Sequence, residues 1–134
     1  MINHITLRVS DLERSKEFFL AALTPLGYKI FIEKSKSIGF GRMAVEGHND
    51  FWIKQGDVAE QKSFGCLAFT AANKEDVQAF YDAALSAGGK DNGAPGYRPQ
   101  YHAGYYAAFV IDPDGYNIEA VFEDIEKLKT TGEL

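Results

Sequence analysis

One cysteine, one tryptophan and four prolines are all that this 134-residue chain holds of those three residue types. The single Cys66 excludes an internal disulfide and fits a reducing compartment. No apolar run approaches the roughly 20 residues that a membrane helix needs. The N-terminal stretch MINHITLRVSD mixes polar with apolar side chains and does not read as a secretory leader. No cluster of Lys and Arg is present, and the net charge of −5 works against a nucleic-acid-binding face. Also missing are a Gly-rich phosphate loop, a G-x-S-x-G elbow, a C-x-x-C pair and a second zinc-type ligand cluster. The expectation is a cytoplasmic protein that engages neither nucleic acid nor membrane.

What is present is ordinary in amount and unusual in order. Hydrophobic content of 46% and charged content of 25% suit a soluble globular chain, and the length suits one domain. The order repeats. Residues His4 to Gly27 read HITLRVSDLERSKEFFLAALTPLG, and residues Cys66 to Gly89 read CLAFTAANKEDVQAFYDAALSAGG. The offset sets Leu7 against Phe69, Asp11 against Asn73, Phe18 against Phe80, Ala22 against Ala84 and Gly27 against Gly89. A strand, an Asx cap, an amphipathic helix and a glycine occur twice. Such a repeat constrains the fold more than any single motif, because two half-domains must pair.

Each copy continues alike. Ile5, Leu7 and Val9 alternate with His4, Thr6 and Arg8, as a half-buried strand does. Asp11 caps a helix with the stripe Leu12, Phe18, Phe19, Ala22 and Leu23, ended by Pro25 and Gly27. Extended pieces follow near 28–34, 38–46 and 50–55. The second copy has a strand at 65–72 and a helix capped by Asn73. A loop from Gly88 to Tyr101 is long enough to suggest function. It has room for one short strand near 90–94. Strands at 104–111 and 116–123 flank Asp112-Pro113-Asp114-Gly115, a strong turn signal. The expectation is one domain over 1–124, built of βαβββ modules at about 1–60 and 61–124. Residues 125–134 form a tail, as a short surface helix or a frayed end.

Two segments resemble the vicinal oxygen chelate superfamily, the glyoxalase, bleomycin-resistance and extradiol-dioxygenase fold. They are His4-Ile5-Thr6-Leu7-Arg8-Val9-Ser10-Asp11-Leu12-Glu13-Arg14-Ser15-Lys16-Glu17-Phe18-Phe19, and Tyr106 to Glu119 around the D-P-D-G turn. The resemblance covers residues 2–123. It implies an α+β fold in which two βαβββ modules form a curved mixed sheet around a cup, with helices outside. It also implies a divalent metal (Zn, Ni, Mn or Fe) in the cup, a small oxygenated metabolite chelated to it, and lyase, isomerase or dioxygenase chemistry. Antibiotic-sequestering relatives imply the alternative, a metal-free binder. A homodimer is expected on both readings, because open half-sheet edges favour pairing.

The resemblance places ligands on the first and last strand of each module, here His4, Trp52, Cys66 and Glu119. His4 and Glu119 match as metal ligands or as catalytic groups. Cys66 would be a soft third ligand and needs a lowered thiol pKa. Trp52 cannot ligate and offers an apolar wall. Many metalloenzymes of the family carry His where Cys66 stands, and three protein ligands are the usual minimum. Arg8 shares the cup-facing set of its strand and suits a carboxylate or phosphate; an internal ion pair with Glu119 or Asp50 is its structural alternative. Tyr97, Arg98, Tyr101, His102, Tyr105 and Tyr106 form an aromatic and polar group placed to rim the cup and contact a ligand. His102 is its only imidazole and a candidate acid or base.

Overall fold

Both helix starts are fixed by side chains that close the first turn. In the computed structural model, which describes residues 2–42, 48–58 and 65–131, Asp11 is extended and accepts the Arg14 backbone N–H at 3.2 Å. Asn73 accepts from the Asp76 N–H at 2.8 Å. Each satisfies a donor that a helix start leaves unbonded. The helices are α1 (Leu12–Leu23) and α2 (Lys74–Ser86). The first buries Phe18, Phe19, Ala22 and Leu23, and the second Val77, Phe80 and Ala84. A 3-10 turn at Thr24–Leu26 follows α1, and Gly27 ends it at φ +89°, a conformation that glycine adopts without strain.

The strands of the first module are β1 (Ile5–Val9), β2 (Tyr28–Glu33), β3 (Ser37–Arg42) and β4 (Phe51–Gln55), in spatial order β1-β4-β3-β2. Those of the second are β5 (Cys66–Thr70), β6 (Lys90–Tyr97), β7 (Tyr105–Ile111) and β8 (Asn117–Glu123), in order β5-β8-β7-β6. In both sheets the first and last strands of the module pair parallel, and the remaining pairs are antiparallel. A short helix, α3 (Ile125–Thr131), follows β8. The fold is α+β with two βαβββ modules, as the repeat implies. The ladders form two four-stranded mixed sheets.

One element departs from expectation. The long loop after α2 contains an eight-residue strand, β6, where only a short strand near 90–94 was foreseen. Its sequence KDNGAPGY is poor in strand formers. It pairs because it is the sheet edge, where the missing Pro95 N–H is tolerated, and its ladder slips at Gly93 and again before Gly96. Of the third expected strand, residues 43–46 lie outside the described residues.

A shared aromatic core joins the modules. Phe19 meets Phe51 at 4.9 Å, Phe51 meets Phe69 at 5.2 Å, and Phe69 meets Tyr28 at 5.4 Å between ring centres. A polar clamp closes the far side. The buried Asp114 accepts from the Ser10 N–H at 3.1 Å and from the Ser10 hydroxyl. It also takes the Arg14 guanidinium at 3.0 Å. The Tyr116 hydroxyl donates to the Arg8 carbonyl at 2.7 Å. The two segments that carry the family resemblance are thus in direct contact, and their polar residues hold one module to the other.

Candidate functional site

Register fixes which positions of the two modules correspond. Thr6 pairs with Trp52 in the first sheet, and Ala68 pairs with Glu119 in the second. The repeat offset sets Thr6 against Ala68, so Trp52 and Glu119 are equivalent, as are His4 and Cys66. In β8, Ile118 and Ala120 are fully buried on the helix side. Asn117, Glu119, Val121 and Glu123 therefore share the opposite, open face.

Glu119 is the chemical centre of that face. It is 2% exposed. The Tyr105 hydroxyl donates to one carboxylate oxygen, and the Cys66 thiol reaches the other at 3.6 Å. Both donors are neutral. No Lys, Arg or His pairs with Glu119 among the described residues. Burial pushes the Tyr105 phenol well above its ordinary pKa, and the bond to Glu119 adds to the shift. Tyr105 therefore stays protonated and remains a donor. Burial also pushes the Cys66 thiol up, and the neighbouring Glu119 charge adds to this.

Around this centre stand Phe109, opposite Glu119 in the ladder, and Arg98, whose guanidinium lies 5.6 Å from the Phe109 ring centre. A depression of about 230 Å³ is lined by Asn92, Gly93, Arg98, Tyr101, Phe109 and Asn117. Tyr101 meets Tyr105 edge-on at 5.0 Å. His102 stands at the rim, its ring 5.2 Å from that of Tyr105 and its Nε2 3.2 Å from Glu123. Phe109, Asn92 and Asn117 were not among the expected residues. Alternation from Glu119 would have found Asn117; Phe109 and Asn92 required the register of β6 and β7.

The expected aromatic group divides between two faces. Tyr106 and Tyr97 do not join the open face, because strand alternation turns Tyr106 the opposite way from Tyr105. Tyr106 is buried, its hydroxyl accepts from Gln78 of α2 at 2.9 Å, and its ring meets Tyr97 at 5.0 Å. Tyr97 donates to Asp124 at 3.1 Å and lies beneath Lys74 and Lys127. It lines a separate depression beside α3.

The first module presents different chemistry. Thr6, Arg8, Trp52 and Lys54 share its open face by register. The Lys34 ammonium lies 5.9 Å from the Trp52 ring centre. His4 is exposed and contacts the Asn3 side chain at 2.8 Å. A groove of about 290 Å³ between the modules is lined by Asn3, Tyr28, Arg42, Asp50, Leu67 and Thr70, with none of His4, Trp52, Cys66 or Glu119 in it. Burial and the Asp50 charge push the Tyr28 phenol there up to about 12. Glu119 meets Tyr105 and Cys66, and the alternative ion pair between Arg8 and Glu119 does not form.

The divalent metal implied by the resemblance finds an incomplete donor set. Among the described residues no three His, Cys, Asp or Glu side chains gather. The arrangement within one chain therefore does not fit a three-ligand metal centre. The neighbouring depression is lined by the Arg98 guanidinium, two asparagines and the Tyr101 and Phe109 rings, while Glu119 lies buried against Tyr105.

Comparison with known proteins agrees with the fold. The sequence profile of the Glyoxalase/Bleomycin resistance protein/Dioxygenase superfamily matches residues 1–120. None of the curated proteins compared with the chain matches it. A glyoxalase/bleomycin resistance protein from Albidiferax ferrireducens T118 is 28% identical with a TM-score of 0.75, over 90% of this chain and 96% of that one. A glyoxalase-related enzyme from Fulvimarina pelagi is 21% identical with a TM-score of 0.70, over 91% and 87%. The fosfomycin resistance protein FosX from Listeria monocytogenes is 20% identical with a TM-score of 0.68, over 95% and 96%. The latter two likenesses bear on the fold alone.

Proposed function

The chain belongs to the Glyoxalase/Bleomycin resistance protein/Dioxygenase superfamily, and from that premise we propose that it binds a small oxygenated metabolite on the open face of its second module without a divalent metal. One observation carries the reading: Glu119 is a buried carboxylate held only by neutral donors, in a face walled by Tyr101, Tyr105 and Phe109. An unpaired buried charge is costly, and a ligand hydroxyl or ammonium would relieve it. Glu119 is also the group that could take a proton from a bound ligand. This favours a second reading, a lyase or isomerase with Glu119 as base and the His102 rim beside it. We further propose a cytoplasmic homodimer. Each four-stranded sheet ends in two edge strands, and edge strands favour pairing with another copy.

A ligand screen read by thermal unfolding, with and without chelator, tests the reading. Stabilisation by small oxygenated compounds is expected to survive the chelator and to be lost in Glu119→Gln. Stabilisation that vanishes with chelator and returns with Zn, Ni, Mn or Fe would instead support the metal-dependent reading. His4→Ala would then abolish it too if a second copy supplies that imidazole.

A further inference from the structure

Arg98 differs from the other described arginines whose contacts are resolved. Arg14 pairs with Asp114, and Arg42 donates to the Thr70 carbonyl and lies 5.3 Å from the Tyr28 ring centre. The Arg98 guanidinium has no carboxylate within ion-pair reach among the described residues. It spends one N–H on the Ala94 carbonyl at 2.7 Å, so four of its five donors remain. Asp91, an acid on the same strand, turns away. Its register partner is Val110, on the helix side, and its carboxylate accepts from the Gly93 N–H at 2.9 Å.

The slot that holds this guanidinium is built by glycine. A Cβ on Gly93 would stand 3.2 Å from one terminal nitrogen of Arg98 and 3.1 Å from Phe109. A Cβ on Gly96 would stand 3.1 Å from the other terminal nitrogen. The two ladder slips in β6 occur at these glycines. The weak strand sequence thus makes room for a cation laid against Phe109. Beside it, Asn92 donates to the Asn117 side-chain oxygen at 3.1 Å, which leaves the Asn117 amide hydrogens for another acceptor.

We propose that Arg98 in its glycine slot is an oxyanion subsite, and that the ligand of the second module carries a carboxylate on a flat apolar body. The carboxylate accepts the Arg98 fork and the Asn117 amide, while Phe109 and the exposed Tyr101 flank the body. A planar fork matches a planar carboxylate through two parallel hydrogen bonds, which a lysine could not supply. The inference rests on the reading of this face as the ligand face and names the ligand class.

Benzoate and its neutral isostere benzamide are the probes, each titrated to its solubility limit into the full chain and followed by backbone and arginine side-chain NMR. Benzoate is expected to shift Arg98, Gly93 and Asn117; benzamide should bind about tenfold more weakly or not at all. Arg98→Gln should abolish the benzoate shifts. Gly96→Ala, which keeps the charge but crowds the slot, should weaken binding several-fold at unchanged melting temperature. Equal shifts from both probes around Tyr105 that survive Arg98→Gln would overturn the oxyanion subsite and leave the ligand face standing. Shifts confined to the first module around Trp52, or none at all, would overturn both.

Discussion

Thr6 faces Trp52 across the first sheet as Ala68 faces Glu119 across the second, yet the two open faces share almost no chemistry. Trp52 sits under the Lys34 ammonium, with Arg8 and Lys54 beside it. Glu119 lies buried under a phenol and a thiol. The helix sides tell the opposite story. Leu7 and Phe69, Phe18 and Phe80, and Ala22 and Ala84 are all buried. A position that fills a close-packed core is held by volume, so both modules need similar side chains there. A position on the open face answers only to what it must contact. The chemical asymmetry of the molecule therefore resides on the faces turned away from the helices.

The sharpest way to break this comparison is to delete a matched pair. Phe18 and Phe80 are both fully buried. Phe18→Ala and Phe80→Ala should each lower stability in urea by about 3–5 kcal/mol. The two losses should agree within about 1 kcal/mol, because the cavities are equivalent. A loss from one that is less than half the other would show that the modules do not share the core equally.

A smaller effect should separate the modules. Asp112 lies buried in the β7–β8 turn of the second module, where its Oδ1 accepts from the Asp114 and Tyr116 N–H groups and its Oδ2 has no partner. Burial pushes its carboxyl up to about 6, despite those bonds. The folded state then holds the proton more tightly than the unfolded state, so stability falls as pH rises from about 4 to about 6 and is level above. The span corresponds to about 3 kcal/mol. In Asp112→Asn that decline should vanish, measured as urea midpoints across the interval. A variant that keeps the wild-type decline would assign it to other groups.

Much of the fold was legible because it rests on local rules. The caps Asp11 and Asn73, the helix stripes and the D-P-D-G turn are each set by neighbouring residues. Strand β6 was not, since Gly93, Pro95 and Gly96 oppose a strand locally and only an edge position with two bulges admits them. The site suffered from that gap. Which of Tyr97, Arg98, Tyr105 and Tyr106 share a face depends on a register that bulges shift, and one residue of slip reverses every side chain. Glu119 was reachable through the family resemblance, which sets it among the candidate ligands. Its partners Tyr105 and Cys66 are 14 and 53 residues away and follow from the pairing of β8 with β7 and β5. The slot under Arg98 leaves no trace in a pattern of side chains, because it consists of atoms that glycine lacks.

The finest distinction between the modules lies in their caps. Asp11→Ala and Asn73→Ala each remove one acceptor from a helix start and should cost about 1 kcal/mol. The residues differ in charge. Asp11 adds an attraction between its carboxylate and the positive end of α1, worth a further 0.3–1 kcal/mol or so at low ionic strength. The Asn73 amide has no such attraction, although Glu75 and Asp76 in the first turn supply charge to α2 that the substitution leaves in place. Added salt screens the exposed charge and leaves the hydrogen bond. The Asp11→Ala loss should therefore shrink between low salt and about 1 M NaCl, where the Debye length is about 3 Å, while the Asn73→Ala loss stays constant. Urea midpoints at both salt levels measure this. A salt-dependent Asn73→Ala loss beside a constant Asp11→Ala loss would mean that the matched caps act by a mechanism other than the geometry they share.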